Sequence, residues 1–539
     1  MLVGALALRL LPNDAYALSS AEGSRALAGW RLLSGAPQEW WGAPALASIL
    51  AAVFLAFGDN DFVARLPAAL AGVAVLAALI PWRARLGRWP ALAAAGLLAI
   101  SPTGLSLDRT VHEAGIATAI GFGMANVMLN HWDRTTRWIP PVLGIGTALL
   151  LSLGSAGISV LLSLGLFGVL RYTVAQSGTG GLPAWLKVSP LAVVPAIAVF
   201  IVVAKGGFQN LDGAAWASLA DWVRQFDTGA ETPWFERWLF LAHAETLALG
   251  LGGVVAAVAL VGWLTGSNRA STEAKALFAV WGALNLVFYG LSASGPQAIA
   301  YEVSLPLTVL GGATLGHAAT ALRDQDVRRA LSGILPALGV LGVFGALTAL
   351  DIAAGAQSLT GNRVAAMGLA TVLAILCCAL LYTSAPHPAL CLTLAAGALG
   401  GILTVHAAGR AITGELWPRD ERVDGVTIMA ITSQLPPPAH GTQLTPKSVA
   451  AANSLQGALA WYLRKTPSAR FADPVPTGAD LAISLETELS SQSARRRPLI
   501  RTLAAKVPWT PAKALVWAMT GRLPDGAEAV IRIAVVSKG

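Results

Sequence analysis

Apolar runs about as long as a bilayer is thick follow one another through most of this chain, and they limit what it can fold into. They occupy residues 64–82, 89–105, 112–131, 138–153, 156–171, 188–205, 245–265, 274–293, 299–320, 328–350, 363–385 and 387–409. A spanning helix needs about 20 such residues. Lipid offers no partner for backbone N–H and C=O groups, so apolar runs of this length must be helical. Charged residues make up 12% of the 539, against about 25% in soluble domains. So little charge cannot coat a globule of this size. The expected fold class is an α-helical polytopic membrane protein with about thirteen transmembrane helices. The count includes Met1 to Leu11 as a first helix that is short or incomplete, since it lacks the cationic start and cleavage site of a signal peptide.

The net charge of +8 does not argue for nucleic acid, because the basic residues form no stripe. Arg495, Arg496 and Arg497 make one tight cluster, of the kind usually found in a solvated loop. Cys377, Cys378 and Cys391 all lie in apolar runs, which suits packing and excludes a disulfide framework.

Basic residues in short connections set orientation. If the apolar stretch 43–57 lies on the membrane surface, then Arg83/Arg85/Arg88, Arg134/Arg137, Arg171/Lys187, Arg269/Lys275 and Arg323/Arg328/Arg329 all fall on one side, the cytoplasm. The connections 13–63, 106–111, 206–244, 294–298 and 351–362 then face out. The N-terminus is expected to be cytoplasmic, the C-terminus extracytoplasmic, and the protein multi-pass in the plasma membrane. In the first outer loop, 13–63, Glu22 to Ser34 has the spacing of an interfacial helix. In the second large outer loop, 206–244, Trp216, Trp222, Trp234 and Trp238 fit an aromatic belt. Residues 1–410 form the transmembrane domain. After Arg410 spanning runs stop, and 411–539 is expected to be a small extracytoplasmic α/β domain, with strands near 481–485 and 529–535 and a helix over 447–464.

Ionisable residues at membrane depth cost several kcal/mol unless they face a cavity or partner. Under this topology Glu22, Arg65, Arg109, His112, Glu113, Lys205, His243, Glu245 and Glu302 gather at the outer ends of helices. Such a set suits a shared cavity with carboxylates for acid–base work and cations for a phosphate. Each has a plainer alternative: Arg65 or Lys205 as a snorkelling anchor, Arg109 and Glu113 as an i,i+4 pair. His112, His243 and Glu245 could hold a divalent metal, although no spacing demands it.

The segment AEGSRALAGWRLLSG at 21–35 resembles the first outer loop of the GT-C glycosyltransferases, the protein O-mannosyltransferase and lipid A aminoarabinose transferase group. In that family an Asp-Glu pair opens an interfacial helix; Glu22 matches the second acid, and Ala21 stands where the Asp belongs. APALASILAAVFLAFGDNDFVARLPAAL at 43–70 is similar to the family's surface helix, turn and Arg-Leu-Pro start of a span. SPTGLSLDRTVHEAGIA at 101–117 resembles its next outer loop, with Arg109 and Glu113 at the Arg and the following acid. PWFERWLFLAHAETLALG at 233–250 places Glu245 at a matching acid, and ALAWYLRKTPSARFAD at 458–473 resembles a Trp-Tyr-Leu-Arg signature that opens a strand.

The resemblance implies transfer of a sugar from a polyprenyl-phosphate donor to a protein, lipid or glycan acceptor, within the bilayer, without nucleic acid and with no required cofactor. It implies Glu22 as the base by preference, with Asp14 and Glu113 as further catalytic candidates. Arg65, Arg109 and Lys205 would meet the donor phosphate, and His112, His243, Glu245 and Glu302 would bind or orient the acceptor. Loss of the Asp leaves Glu22, Asp14 or an inactive protein as readings. The rivals are a non-catalytic GT-C-like subunit or lipid-glycan binder and, in another class, a lipid-linked glycan transporter or flippase.

Overall fold

The computed structural model describes residues 1–10, 18–35, 43–131, 138–176, 241–265 apart from 243, 270–292 and 297–321. It also describes single residues and short pieces between 197 and 238, at 325 and between 393 and 411, and six segments of the C-terminal region. The expected runs 188–205 (but for Ile197), 328–350 and 363–385, the three cysteines and the Arg495–Arg497 cluster lie outside the described residues.

The helices are α1 (Leu2–Leu10), α2 (Ser20–Ser34), α3 (Pro44–Phe57), α4 (Asp61–Ala78), α5 (Arg83–Leu86), α6 (Arg88–Ala99) and α7 (Pro102–Leu107). They continue with α8 (Ala114–His131), α9 (Ile139–Leu151), α10 (Gly154–Gln176), α11 (Gly253–Leu264), α12 (Ala270–Leu291) and α13 (Gln297–Ala321). Among the described residues, four helical stretches are long and apolar enough to cross a membrane: Asp61–Leu86, Gly154–Thr173, Thr272–Leu291 and Ile299–Thr320.

Local chemistry sets the boundaries. Ser19 caps α2 by accepting the Glu22 N–H, while the Glu22 side chain accepts the Ser19 N–H. This reciprocal box satisfies two of the orphan donors of a helix start. Gly35 ends the helix at φ 68°, a left-handed value that suits glycine. Asn60 caps α4 through the Val63 N–H. The expected span 89–105 is in fact two helices, because Ser101 caps a new one by accepting the Gly104 N–H and Pro102 takes its first position. The hairpin expected at Gly154 is present, with that residue at φ 69° between α9 and α10.

In the core, α13 lies against α6 so closely that a Cβ on Gly312 or Gly316 would overlap the backbone of Ala94 or Pro90. Small residues permit this approach between apolar helices. Trp82, Phe122, Phe278 and Trp281 form an aromatic cluster, with ring centroids 4.8 Å apart for Trp82–Phe278 and 5.4 Å for Phe122–Trp281.

Two polar clusters mark the ends of the bundle. Beyond the C-terminus of α4, Arg85 donates to Asn130 Oδ1 at 3.0 Å and lies 3.4 Å from Glu273, which Arg171 meets at 2.6 Å. The basic connections expected on one side thus converge where they are described. At the other end lie Arg65 near the start of α4 and residues 111–113 before α8.

The C-terminal region contributes β1 (Val449–Ala451), β2 (Ala469–Phe471), β3 (Leu481–Leu485), β4 (Leu499–Ala504) and β5 (Val530–Ser537), in the order β2-β1-β3-β5-β4. Strand β1 pairs in parallel with β2 and β3, while β5 is antiparallel to β3 and β4. The helix expected over 447–464 is thereby corrected. Among the described residues of that stretch, Val449–Ala451 is β1, paired along both edges in the sheet, and Leu459–Arg464 turns helically, with Leu463 N–H on Leu459 O at 2.9 Å. The Trp-Tyr-Leu-Arg element is that turn rather than the start of a strand.

Candidate active site at the Arg65 end of the bundle

Glu22 is the third residue of α2, so the box that starts the helix turns its side chain inward. Its Oε1 accepts from Arg65 Nε at 2.9 Å and from the Val111 N–H at 3.1 Å. Its Oε2 accepts from Arg65 Nη2 at 3.2 Å and from the Ser19 N–H at 2.9 Å. Both side chains are almost wholly buried, at 4% and 5% exposure. A two-pronged Arg–carboxylate pair of this kind fixes direction as well as charge. It joins α2, α4 and the loop before α8, and it occupies both oxygens of the carboxylate expected to be the base. Ala21, one residue earlier, is exposed.

Arg25, one turn on from Glu22, lies 3.3 Å from Glu113 Oε2 through Nε and donates from Nη1 to Val111 O at 3.4 Å. Its side chain is 28% exposed, against 6% for Glu113. Glu113 Oε2 makes no hydrogen bond of good geometry. This carboxylate therefore has acceptor capacity left where Glu22 has spent its own. His112 Nδ1 accepts the Ala114 N–H at 3.1 Å, so the ring is neutral with its proton on Nε2. Its 3.6 Å approach to Glu113 is that of a neutral imidazole beside a carboxylate.

The turn between α3 and α4 carries a second assembly. Asp61 accepts Trp461 Nε1–H at 2.8 Å and the Tyr462 hydroxyl at 2.7 Å, and that hydroxyl accepts the Leu18 N–H at 2.7 Å. Burial and the adjacent Asp61 push the Tyr462 phenol well above its usual range, so it stays a donor. Arg464 stacks 3.6 Å from the Trp461 ring and donates to Asp59 O and Oδ2. Residues 459–464 thus lie at the same end as Glu22, and Tyr462 holds the chain just before the α2 cap. Tyr462→Phe leaves one Asp61 oxygen and the Leu18 N–H short of a partner, which costs about 1–3 kcal/mol. A lower unfolding midpoint of the detergent-purified protein is the expected readout, and an unchanged midpoint would contradict the assignment.

The other expected residues are held by different partners where they are described. Arg109 Nη1 donates to Leu8 O at 2.9 Å. Glu302 accepts from Thr118 at 2.9 Å and Trp281 at 3.1 Å inside the bundle. Glu245 Oε1 accepts from Ser101 Oγ at 2.7 Å, Thr103 N at 2.9 Å and Thr103 Oγ1 at 2.6 Å. Asp14, Lys205 and His243 lie outside the described residues. Among the described residues there is no group of three or more His, Cys, Asp or Glu placed to hold a metal.

Several polar residues escaped the sequence reading. Arg25 was readable as the residue one turn after Glu22. Asp59 and Asp61 sit in the turn already matched to the family. Arg9 and Asp108 gave no local signal; they pair at 2.8 Å, with Tyr301 donating to Asp108 at 3.1 Å. A Cβ on Gly72 would strike that pair.

No protein-family model matches the sequence, and no curated protein matches it. Solved structures do match in fold. ArnT from Cupriavidus metallidurans bound to undecaprenyl phosphate aligns over 99% of this chain and 96% of its own, with a TM-score of 0.61 at 15% identity. The same protein in the apo state gives 0.59 over the same shares of the two chains, also at 15% identity. The archaeal oligosaccharyltransferase AglB from Archaeoglobus fulgidus aligns over 91% of this chain and 69% of its own, with a TM-score of 0.48 at 12% identity. The match to ArnT runs through almost the whole of both chains, so this protein has the polytopic GT-C fold that its sequence resembles.

Proposed function

We propose that this chain is a membrane glycosyltransferase that moves a sugar from a polyprenyl phosphate to an acceptor hydroxyl on the extracytoplasmic side. The observation that carries this reading is the convergence of Glu22, Arg25, Arg65, His112 and Glu113, from α2, α4 and the loop before α8, at one end of the bundle. The shared fold supports it, since ArnT was solved with undecaprenyl phosphate. The remaining spans bring the helix count to about thirteen, with 1–410 as the transmembrane domain and 411–539 as the extracytoplasmic α/β domain. The hold of residues 459–464 on the α3–α4 turn supports placing that domain beside the site.

In this reading Glu113 is the base and Arg25 the phosphate ligand. The acceptor oxygen bonds to the anomeric carbon as its proton passes to the Glu113 carboxylate. The bond from that carbon to the phosphate oxygen breaks, and polyprenyl phosphate leaves with the electron pair, stabilised by Arg25. Glu22 and Arg65 hold α2 in register with the 111–113 loop. Removing a hydrogen bond to a charged group costs about 1.5–3 kcal/mol, roughly tenfold or more in affinity. Arg25→Ala is therefore expected to weaken undecaprenyl phosphate binding by that factor in native mass spectrometry, and an unchanged affinity would remove Arg25 from the phosphate site.

One observation favours a second reading, a non-catalytic binder of lipid-linked sugar. The position that carries the Asp in the resembling family is Ala21, and it is exposed while its neighbour Glu22 is spent on Arg65. Such a protein binds the donor and releases no product.

A further inference from the structure

Away from the Glu113 cluster, a cavity of about 10 Å³ lies among Glu245, Ala248, Thr308, Gly311 and Thr404. A space of that size admits one water-sized particle. Thr308 and Thr404 are each 4% exposed, and the hydroxyl oxygen of each is buried without a hydrogen-bond partner. Buried hydroxyls are nearly always satisfied, so two such groups on one small cavity point to an occupant. Glu245 is 2% exposed. Its three hydrogen bonds all fall on Oε1, which leaves Oε2 for that occupant. The helix continuing from Glu245 widens into a π turn over Ala248–Gly252, a distortion that concentrates at functional sites.

Charge then selects among occupants. Three donors on one oxygen suit an ionised carboxylate, and no Arg, Lys or His pairs with Glu245 among the described residues. An ionised carboxylate at membrane depth needs a counter-charge. Carboxylate and hydroxyl oxygens suit a hard cation, and one carboxylate balances one positive charge. We propose that this cavity is a sodium site, with Glu245, Thr308 and Thr404 as side-chain ligands. It is separate from the sugar-transfer reading and stands whether or not the chain is a transferase.

The test uses the full chain in detergent, with thermal unfolding followed as sodium chloride replaces choline chloride at constant ionic strength. The expected result is a melting temperature that climbs with sodium and saturates, together with binding of about one radioactive sodium ion per chain. Thr308→Val and Thr404→Val keep side-chain shape, and each is expected to abolish or greatly reduce both signals. Glu245→Gln is expected to do the same where it folds. Identical melting in the two salts with no bound sodium would overturn the proposal and leave a structural water in the cavity. A sodium signal undiminished in both valine variants would overturn it too, by placing the ion elsewhere.

Discussion

Arg65→Ala is expected to destabilise the protein by about 3 kcal/mol, the lower end of the range for breaking a buried ion pair from one side. Glu22 would remain buried with its charge, but it would keep the Ser19 and Val111 N–H groups on its two oxygens. Those donors moderate the loss. Glu22→Gln is the harsher change. Both carboxylate oxygens accept from N–H donors, so the amide NH₂ of a glutamine would face donors whichever way it turned. The arginine would also lose the carboxylate that it grips through two hydrogen bonds. An effect of about 5 kcal/mol follows, the upper end of the same range. Reversible unfolding of the purified protein in mixed micelles measures both changes. A Glu22→Gln variant as stable as the parent would contradict the assignment of this pair as the strut that sets α2.

Glu113→Gln is expected to act on turnover instead. Its partner Arg25 is partly exposed, so water can take up the charge that the substitution leaves behind. The stability loss should stay below the roughly 3–5 kcal/mol of a fully buried pair broken from one side. General-base assistance contributes about 10²–10⁴-fold, and turnover should fall by that factor while undecaprenyl phosphate binding is retained. The contrast between the variants is the diagnostic: one carboxylate sustains the fold and the other the chemistry. Equal turnover in Glu113→Gln and the parent would exclude Glu113 as the base.

Much of the membrane architecture was legible because apolar run length is a local property. The first-loop helix expected at 22–34 is α2 at Ser20–Ser34, and the apolar stretch 43–57 is helical as α3 at Pro44–Phe57. The break inside 89–105 was written at Ser101-Pro102, but apolar density on both sides masked it. Of the expected gathering of charge, Glu22, Arg65, His112 and Glu113 do come together, whereas Glu302 and Glu245 have partners of their own. What was not readable is which charge meets which. Glu22 reaches Arg65 over 43 positions and Val111 over 89, and Tyr462 reaches Asp61 over 401. Those pairings follow from helix packing, which sequence spacing only permits. Hence Glu22 looked like a free acid, and Arg25 looked like one more surface charge on an amphipathic helix. Strand β1 was missed because Val449–Ala451 is too short to show alternation, and its neighbours in the sheet come from later in the chain.

Polyprenyl phosphate is the product common to any transfer of this kind, whatever the sugar or acceptor. The most direct measurement is therefore its release by the purified full-length protein from a panel of undecaprenyl-phosphate-linked sugars, with membrane extract supplying acceptors. The account predicts release with at least one donor, and loss of about 10²–10⁴-fold of that release in Glu113→Gln with binding intact. Binding across the panel without release would contradict the transferase reading in favour of a non-catalytic binder, and absence of binding would contradict both.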